Sequence, residues 1–281
     1  MARRRTPPPG DARTGGHLRL VGGTDLVPPP ELSVRGPYGL PTVLLGPGLP
    51  ELLDDVALPD EARTWPSPEE EAALLTTSRA VRWARQLLDL LGQGRPTTRT
   101  GALRRGDTEE AAELLGIRTW NEPRSSMWDV LELSVVWSAL VGSGAVTLAA
   151  TRARPGLPVL VRGPSIDETV RRSRLFHSNV LGAFFAWQTD PGRAAAAPAT
   201  AVTLLAAAGP DGLSVPEPRR TTEPSDDWFV WLDLLALARL DVVERTGDVF
   251  RLPRALVPAV AVTAERLADP TGSPLPLGRR P

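Results

Sequence analysis

The chain has 281 residues, a formal net charge of −1 and 42% hydrophobic residues, enough for one large domain or two of ordinary size. Its 30 Pro and 25 Gly make much of it turn or connection. It holds no Cys, no Lys and two His. That excludes disulfides, thiolate chemistry, a phosphate-loop lysine, a lysine Schiff base and a three-histidine zinc site.

Met1 to Arg5 is basic, but Pro7-Pro8-Pro9-Gly10 follows where a secretory leader needs an apolar stretch. Apolar runs such as Leu181 to Trp187 are far shorter than a bilayer span. A cytoplasmic protein with no membrane association is expected. Residues 1–30, with Arg3, Arg4, Arg5, Arg13 and Arg19 outweighing Asp11, read as a disordered basic arm. Residues 31–75 carry nine acidic residues against Arg35 and Arg63, broken by seven prolines. This is an acidic, Pro-rich extension of short elements. Its carboxylates lack calcium-loop spacing, and neither metal nor cofactor is expected.

Residues 76–174 read as a first domain. Thr76, Thr77 or Ser78 caps a helix through Leu91, with Val81, Ala84, Leu87, Leu88 and Leu91 as its apolar stripe. Gly92 and Gly94 end it. Arg95 to Leu103 is short and Thr-rich and reads as a strand. Asp107 or Thr108 caps a helix to Leu115. A longer helix runs from Met127 to Val141. Strands 146–150 and 157–161 follow, joined by a turn at 151–156. Helix, strand, helix, helix, strand, turn, strand is the order of a winged helix.

Residues 175–268 repeat the scheme. Helices are expected at 175–187, 200–208 and 228–240, then a hairpin over 242–252 turning at Thr246-Gly247-Asp248, then a closing helix over 254–267. Residues 269–281 read as a disordered tail. The fold expected is α+β, mainly α: tandem winged-helix (helix-turn-helix) domains with an N-terminal extension.

The passage Gly94-Arg95-Pro96-Thr97-Thr98-Arg99-Thr100-Gly101-Ala102-Leu103 resembles a GRPLTxTGxL-type segment of poorly characterised actinobacterial winged-helix-like proteins. The Leu114-Leu115-Gly116 helix ending also fits, so the resemblance covers roughly residues 75–145. The stretch from Leu234 to Leu252 looks like the last helix and wing of bacterial winged-helix regulators. The resemblance implies the fold and a cytoplasmic setting, without an activity or a site.

Two functional readings follow. Arg79, Arg82, Arg85, Arg95, Arg99, Arg104 and Arg105 face Asp89 alone between 79 and 105, and Arg152 and Arg154 lie at the expected wing tip. These nine are candidate contacts to the DNA backbone. The first reading is therefore a non-enzymatic winged-helix DNA-binding protein, a transcriptional regulator or chromosome-associated factor. The helices expected to enter a groove argue otherwise. The first offers Asp129 and Glu132, the second Asp226, Asp227 and Asp233, and carboxylates repel neighbouring phosphates. The second reading is a protein-interaction module or adaptor that does not read DNA. Trp128, Trp137, Trp228 and Trp231 are its interface candidates; packing them between domains of one chain instead gives a monomer. No catalytic constellation stands out. Glycine pairs lack a nucleotide-binding context, there is no G-x-S-x-G elbow, and His177 lies in an apolar helix.

Overall fold

The computed structural model describes residues 59–60, 64–117, 126–187, 191–218 and 225–268. The expected arm, the tail, most of the acidic extension and Ser125 lie outside the described residues. What is described is mainly helical, with two small antiparallel sheets.

The first helix, α1 (Pro68–Thr77), comes from the tail of the acidic extension. Ser67 and Glu70 form a capping box: the Ser67 hydroxyl accepts from the Glu70 N–H, and the Glu70 carboxylate accepts from the Ser67 N–H at 2.7 Å. Pro68 at the first helical position, with Glu69 to Glu71 in the first turn, completes a helix start. Ser78 breaks the chain before α2 (Arg79–Leu91), which buries Val81, Ala84, Leu87 and Leu91 as its periodicity requires. Strand β1 is only Arg95–Pro96. A turn at Thr98 to Gly101 follows, closed by the Thr98 N–H donating to the Ala102 carbonyl. The strand expected to reach Leu103 therefore ends early. Helix α3 (Arg105–Leu114) starts at Arg104, ahead of the expected Asp107, because Asp107 is engaged by Arg95.

The single helix expected from Met127 is two. A 3-10 turn (Met127–Asp129) stops at Val130, whose backbone is extended, and α4 (Leu131–Gly142) begins beyond it. Trp128 and Trp137 thus lie on separate elements rather than opposite sides of one helix. The hairpin that follows is tighter than expected. Strands β2 (Val146–Ala149) and β3 (Arg152–Pro155) turn at Ala150-Thr151. The segment read as a turn is the second strand: exposed Arg152, buried Ala153 and exposed Arg154 alternate with the strand period. Arg152 and Arg154 therefore stand on the sheet face, not at the hairpin tip.

Helix α5 (Ile166–Ala186) begins nine residues before the expected Leu175 and runs through the 174/175 boundary. Its first half is polar and has no readable apolar stripe; a Ser165 cap and ion pairs hold it. α5 packs against α1, α4 and α8 (Val257–Ala268), so one helix serves both halves. Helix α6 (Pro191–Ala206) also starts early and accommodates Pro198 inside it. A two-residue strand that the sequence did not suggest, β4 (Leu213–Ser214), precedes α7 (Asp226–Arg239). Strands β5 (Glu244–Thr246) and β6 (Val249–Arg251) form the expected hairpin, with Gly247 at φ +61 in its turn. A 3-10 turn (Arg254–Leu256) leads into α8.

The sheets are ordered β1-β3-β2 and β4-β6-β5. In each, the last strand lies between the other two, and each hairpin follows a helix. Most of the buried apolar side chains form one continuous cluster from Leu75 to Ala264. No helix among the described residues is long and apolar enough to cross a membrane.

Candidate functional site

The run of arginines between 79 and 105 is dispersed by the fold. On α2, Arg79 donates to the Arg239 carbonyl at 3.3 Å and stands 4.0 Å from Asp241. Arg82 donates to the Thr77 carbonyl at 2.6 Å, and Arg85 to that of Leu160 at 2.8 Å. These three tie α2 to three different neighbours. The Arg95 guanidinium holds Asp107 at 2.5 Å and Glu110 at 2.8 Å, while its Nε donates to the Leu90 carbonyl. Hydrogen bonds with Glu110 and Asp107 raise its pKa further, so its charge is already matched. Arg105 pairs with Glu109 one turn on, at 3.1 Å. Arg152 donates to the Gly94 carbonyl at 3.0 Å.

Arg99, Arg104 and Arg154 remain. All three are exposed, and their guanidinium groups take no partner among the described residues. With Arg152 they lie around one sheet. The register puts Thr147 opposite Arg154 and Ala149 opposite Arg152, so these four share the outer face. The turn bearing Arg99 is tied to the hairpin tip by the Thr97 N–H donating to the Thr151 carbonyl at 2.7 Å. Leu103, next to Arg104, bridges back to Thr97. The neighbouring α3 counters this charge with exposed Glu109, Glu110 and Glu113.

Both helices expected to enter a groove are largely enclosed by the fold. On α4, Leu133 to Trp137, Ala139 and Leu140 are all buried, and only Gly142 is exposed; α2 and α5 cover it. On α7, Asp226, Asp227 and Arg239 are exposed at the ends, with none between them, and α6 lies along it. Their carboxylates also have internal work. Glu132 pairs with Arg239 at 3.4 Å. Asp129 caps the Ser126 N–H at 2.9 Å. Asp233, fully buried, accepts from Arg193 at 2.5 Å and from the Thr200 hydroxyl at 3.0 Å. Asp233 stands in the apolar run Trp231-Leu232-Asp233-Leu234-Leu235, and a lone charge in such a run signals a buried, paired group.

The candidate interface tryptophans are buried or half-buried. Trp137 is 1% exposed and donates its Nε1–H to the Gly101 carbonyl at 3.1 Å. Trp128, half-buried, stacks on Trp187 with ring centroids 4.9 Å apart and donates to Thr100. Trp228 and Trp231 share a face, as their spacing requires, with centroids 5.4 Å apart; Trp231 is buried and its Nε1–H has no acceptor among the described residues.

The remaining titratable groups of the interior include Glu71, Glu168 and His177. Glu71 is held by Arg174, whose Nη2 lies 2.5 Å from a carboxylate oxygen and whose guanidinium stands 5.0 Å over the Trp65 ring. Burial raises the Glu71 pKa, against the pull of Arg174. Glu168 is held by Arg171 and Arg172. The His177 Nδ1–H donates to the Ser173 carbonyl at 2.8 Å, its Nε2 is buried without a partner among the described residues, and burial lowers its pKa to about 4. It is neutral at pH 7. No group of three or more metal-ligating side chains occurs among the described residues. The chain matches no family model, no curated protein and no solved structure.

Proposed function

We propose that the chain is a non-enzymatic protein-interaction module built on two winged-helix-like units that share α5. The repeated sheet order, with a hairpin after a helix in each unit, supports the scaffold. The observation that carries the function is the enclosure of α4 and α7. A helix reads bases only if its side chains reach a groove, and these side chains fill the core. The interior ion pairs Glu71–Arg174 and Asp233–Arg193 support a structural rather than catalytic use of the charged residues. Affinity purification from the native host tests this. A stoichiometric protein partner that survives nuclease treatment is expected, and loss of every partner on that treatment overturns the reading.

One observation favours a second reading. Arg99, Arg104, Arg152 and Arg154 are exposed around one sheet, and duplex phosphates are a partner for such a group. In fluorescence anisotropy at low salt this reading requires binding that weakens as salt rises. Replacing all four by Ala should abolish it, with equal losses across duplex sequences, because backbone contacts carry no sequence information. Absence of binding at tens of micromolar protein removes it.

A further inference from the structure

The outer face of the first sheet gathers positive charge on the β1 side. The register sets Arg95 opposite Ala153 and Pro96 opposite Arg152, so one step back Gly94 comes opposite Arg154. On the other side of β1, Thr97 bridges Leu103 in antiparallel sense. Thr97, Leu103 and Ala153 are buried, whereas Pro96, Arg104, Arg152 and Arg154 are exposed. Alternation along an extended chain therefore puts Arg104 on the outer face, across Pro96 from Arg152. The backbone at Arg104 is extended, with φ −69 and ψ 159, as this placement needs.

The β3 side chains lean toward Arg104. A Cβ on Gly94 would meet the Arg154 Cγ at 2.8 Å and the Arg152 Nε at 3.0 Å, so both side chains cross from β3 and come together above β1. The Gly94 carbonyl accepts from the Arg152 guanidinium at 3.0 Å, and the bare glycine leaves the space the pair occupies. None of Arg104, Arg152 and Arg154 meets a carboxylate among the described residues. Their neighbours in sequence do: Arg95, on the inner face, holds Asp107 and Glu110, and Arg105 pairs with Glu109. Guanidinium groups set side by side repel one another, so an anion above Gly94 and Pro96 stabilises all three.

We infer that this face docks an extended acidic segment of a partner protein, with carboxylates on alternate residues. The inference rests on the protein-interaction reading and gives that reading its site. Arg152 and Arg154 are two strand residues apart, about 7 Å, and alternate residues of an extended segment run at the same repeat. From Arg152 to Arg104 is two strand spacings, about 10 Å, which is the room one chain takes. Arginine receives a carboxylate through two parallel N–H groups. A duplex suits the face less well. Helix α3 begins at the residue after Arg104 and exposes Glu109 and Glu113, which oppose phosphates that extend past the sheet.

The test uses the full chain and a dye-labelled peptide in which glutamate and serine alternate, read by fluorescence anisotropy. Its counterparts are a lysine–serine peptide and a peptide of the same composition with its glutamates in one block. Saturable binding that weakens with salt is expected for the alternating glutamate peptide, with the block peptide weaker and the lysine peptide inert. Arg154→Glu should weaken binding about fivefold, and adding Arg104→Glu should take the loss past about tenfold. Both side chains are exposed, and circular dichroism checks that the variants are folded. Arg251→Glu makes the same charge change at an exposed position on β6 of the second sheet and should leave binding unchanged. No binding of the alternating peptide, equal binding of the block or lysine peptide, or equal weakening by Arg251→Glu overturns the inference. So does a DNA duplex that displaces the peptide at equal concentration of charge, because phosphates are then the occupant. A nuclease-resistant host partner retained by the Arg104→Glu, Arg154→Glu chain removes this site and leaves the interaction reading standing; loss of every partner on nuclease treatment removes both.

Discussion

His177 has its ring wholly inside α5's packing, with one nitrogen satisfied by Ser173 and the other unsatisfied among the described residues. Its pKa, lowered by burial to about 4, means that the folded chain binds this proton less readily than the unfolded chain. Stability therefore falls as pH drops below the unfolded value near 6.5 and stops falling below the folded one. Relative to His177→Gln, the native chain should lose about 2 kcal/mol between pH 7 and pH 5 in urea unfolding. Glu71 acts in the opposite sense, because its raised pKa adds stability as pH falls; comparison with the His177→Gln variant isolates the histidine. An identical pH dependence in both proteins would refute the assignment. Arg174→Leu leaves the Glu71 carboxylate, 2% exposed in its side chain, without its cation. The expected cost is about 3 kcal/mol in the same measurement, and a loss within the scatter of surface substitutions would show the pair to be dispensable. Neither partnership was legible in the sequence. Glu71 and Arg174 are 103 positions apart, and nothing in local pattern links them. Asp233 was half legible: its apolar neighbours marked it as buried, but only the fold could supply Arg193.

Elements that carry an apolar stripe or a glycine turn are legible in the sequence, and those marked only by a cap are not. The stripe of α2, the helix α7 and the β5–β6 hairpin carry their own periodicity and turn chemistry. The first half of α5 has no apolar stripe, and only the Ser165 cap and the acidic first turn at Asp167-Glu168 mark its start. The Ser67-Pro68-Glu69-Glu70 start of α1 is a cap of the same kind, set among prolines that break the pattern on its N-terminal side. The two-residue turn at Ala150-Thr151 lacks Gly and Asn, which hid it and shifted the arginines off the strand. A demanding joint in that first sheet is Gly94, at φ +121. A Cβ there would come within 2.8 Å of the Arg154 Cγ, 2.9 Å of the Ala153 carbonyl oxygen and 3.0 Å of the Arg152 Nε. Gly94→Ala should cost about 2 kcal/mol through backbone strain and the displaced strand. Unchanged thermal stability would mean that the strand yields without resistance.

At the scale of the whole molecule, a helix followed by a hairpin is legible in the sequence of each half, but the joining of the halves is not. The expected boundary at 174/175 falls inside α5, next to Arg174, which anchors α1. α5 then packs on α4 in one direction and α8 in the other, and most of the buried apolar side chains form one continuous cluster. A core without a seam does not come apart in stages, because opening either half exposes the face of α5 that the other half buries. The four candidate interface tryptophans add to this: Trp137 and Trp231 are inside, and Trp128 and Trp228 each lie against another ring. Their large apolar area is spent within one chain, so a second copy is not needed to cover it. Two outcomes follow. Light scattering in dilute solution should give a mass near 30.1 kDa, and a stable mass twice that would place further apolar surface at a subunit contact. Urea unfolding should give one transition, coincident by tryptophan fluorescence and far-ultraviolet circular dichroism, the mark of two-state behaviour. Two separated transitions, one reported by Trp128 and Trp137 and the other by Trp228 and Trp231, would restore independent units and make α5 a linker rather than a spine.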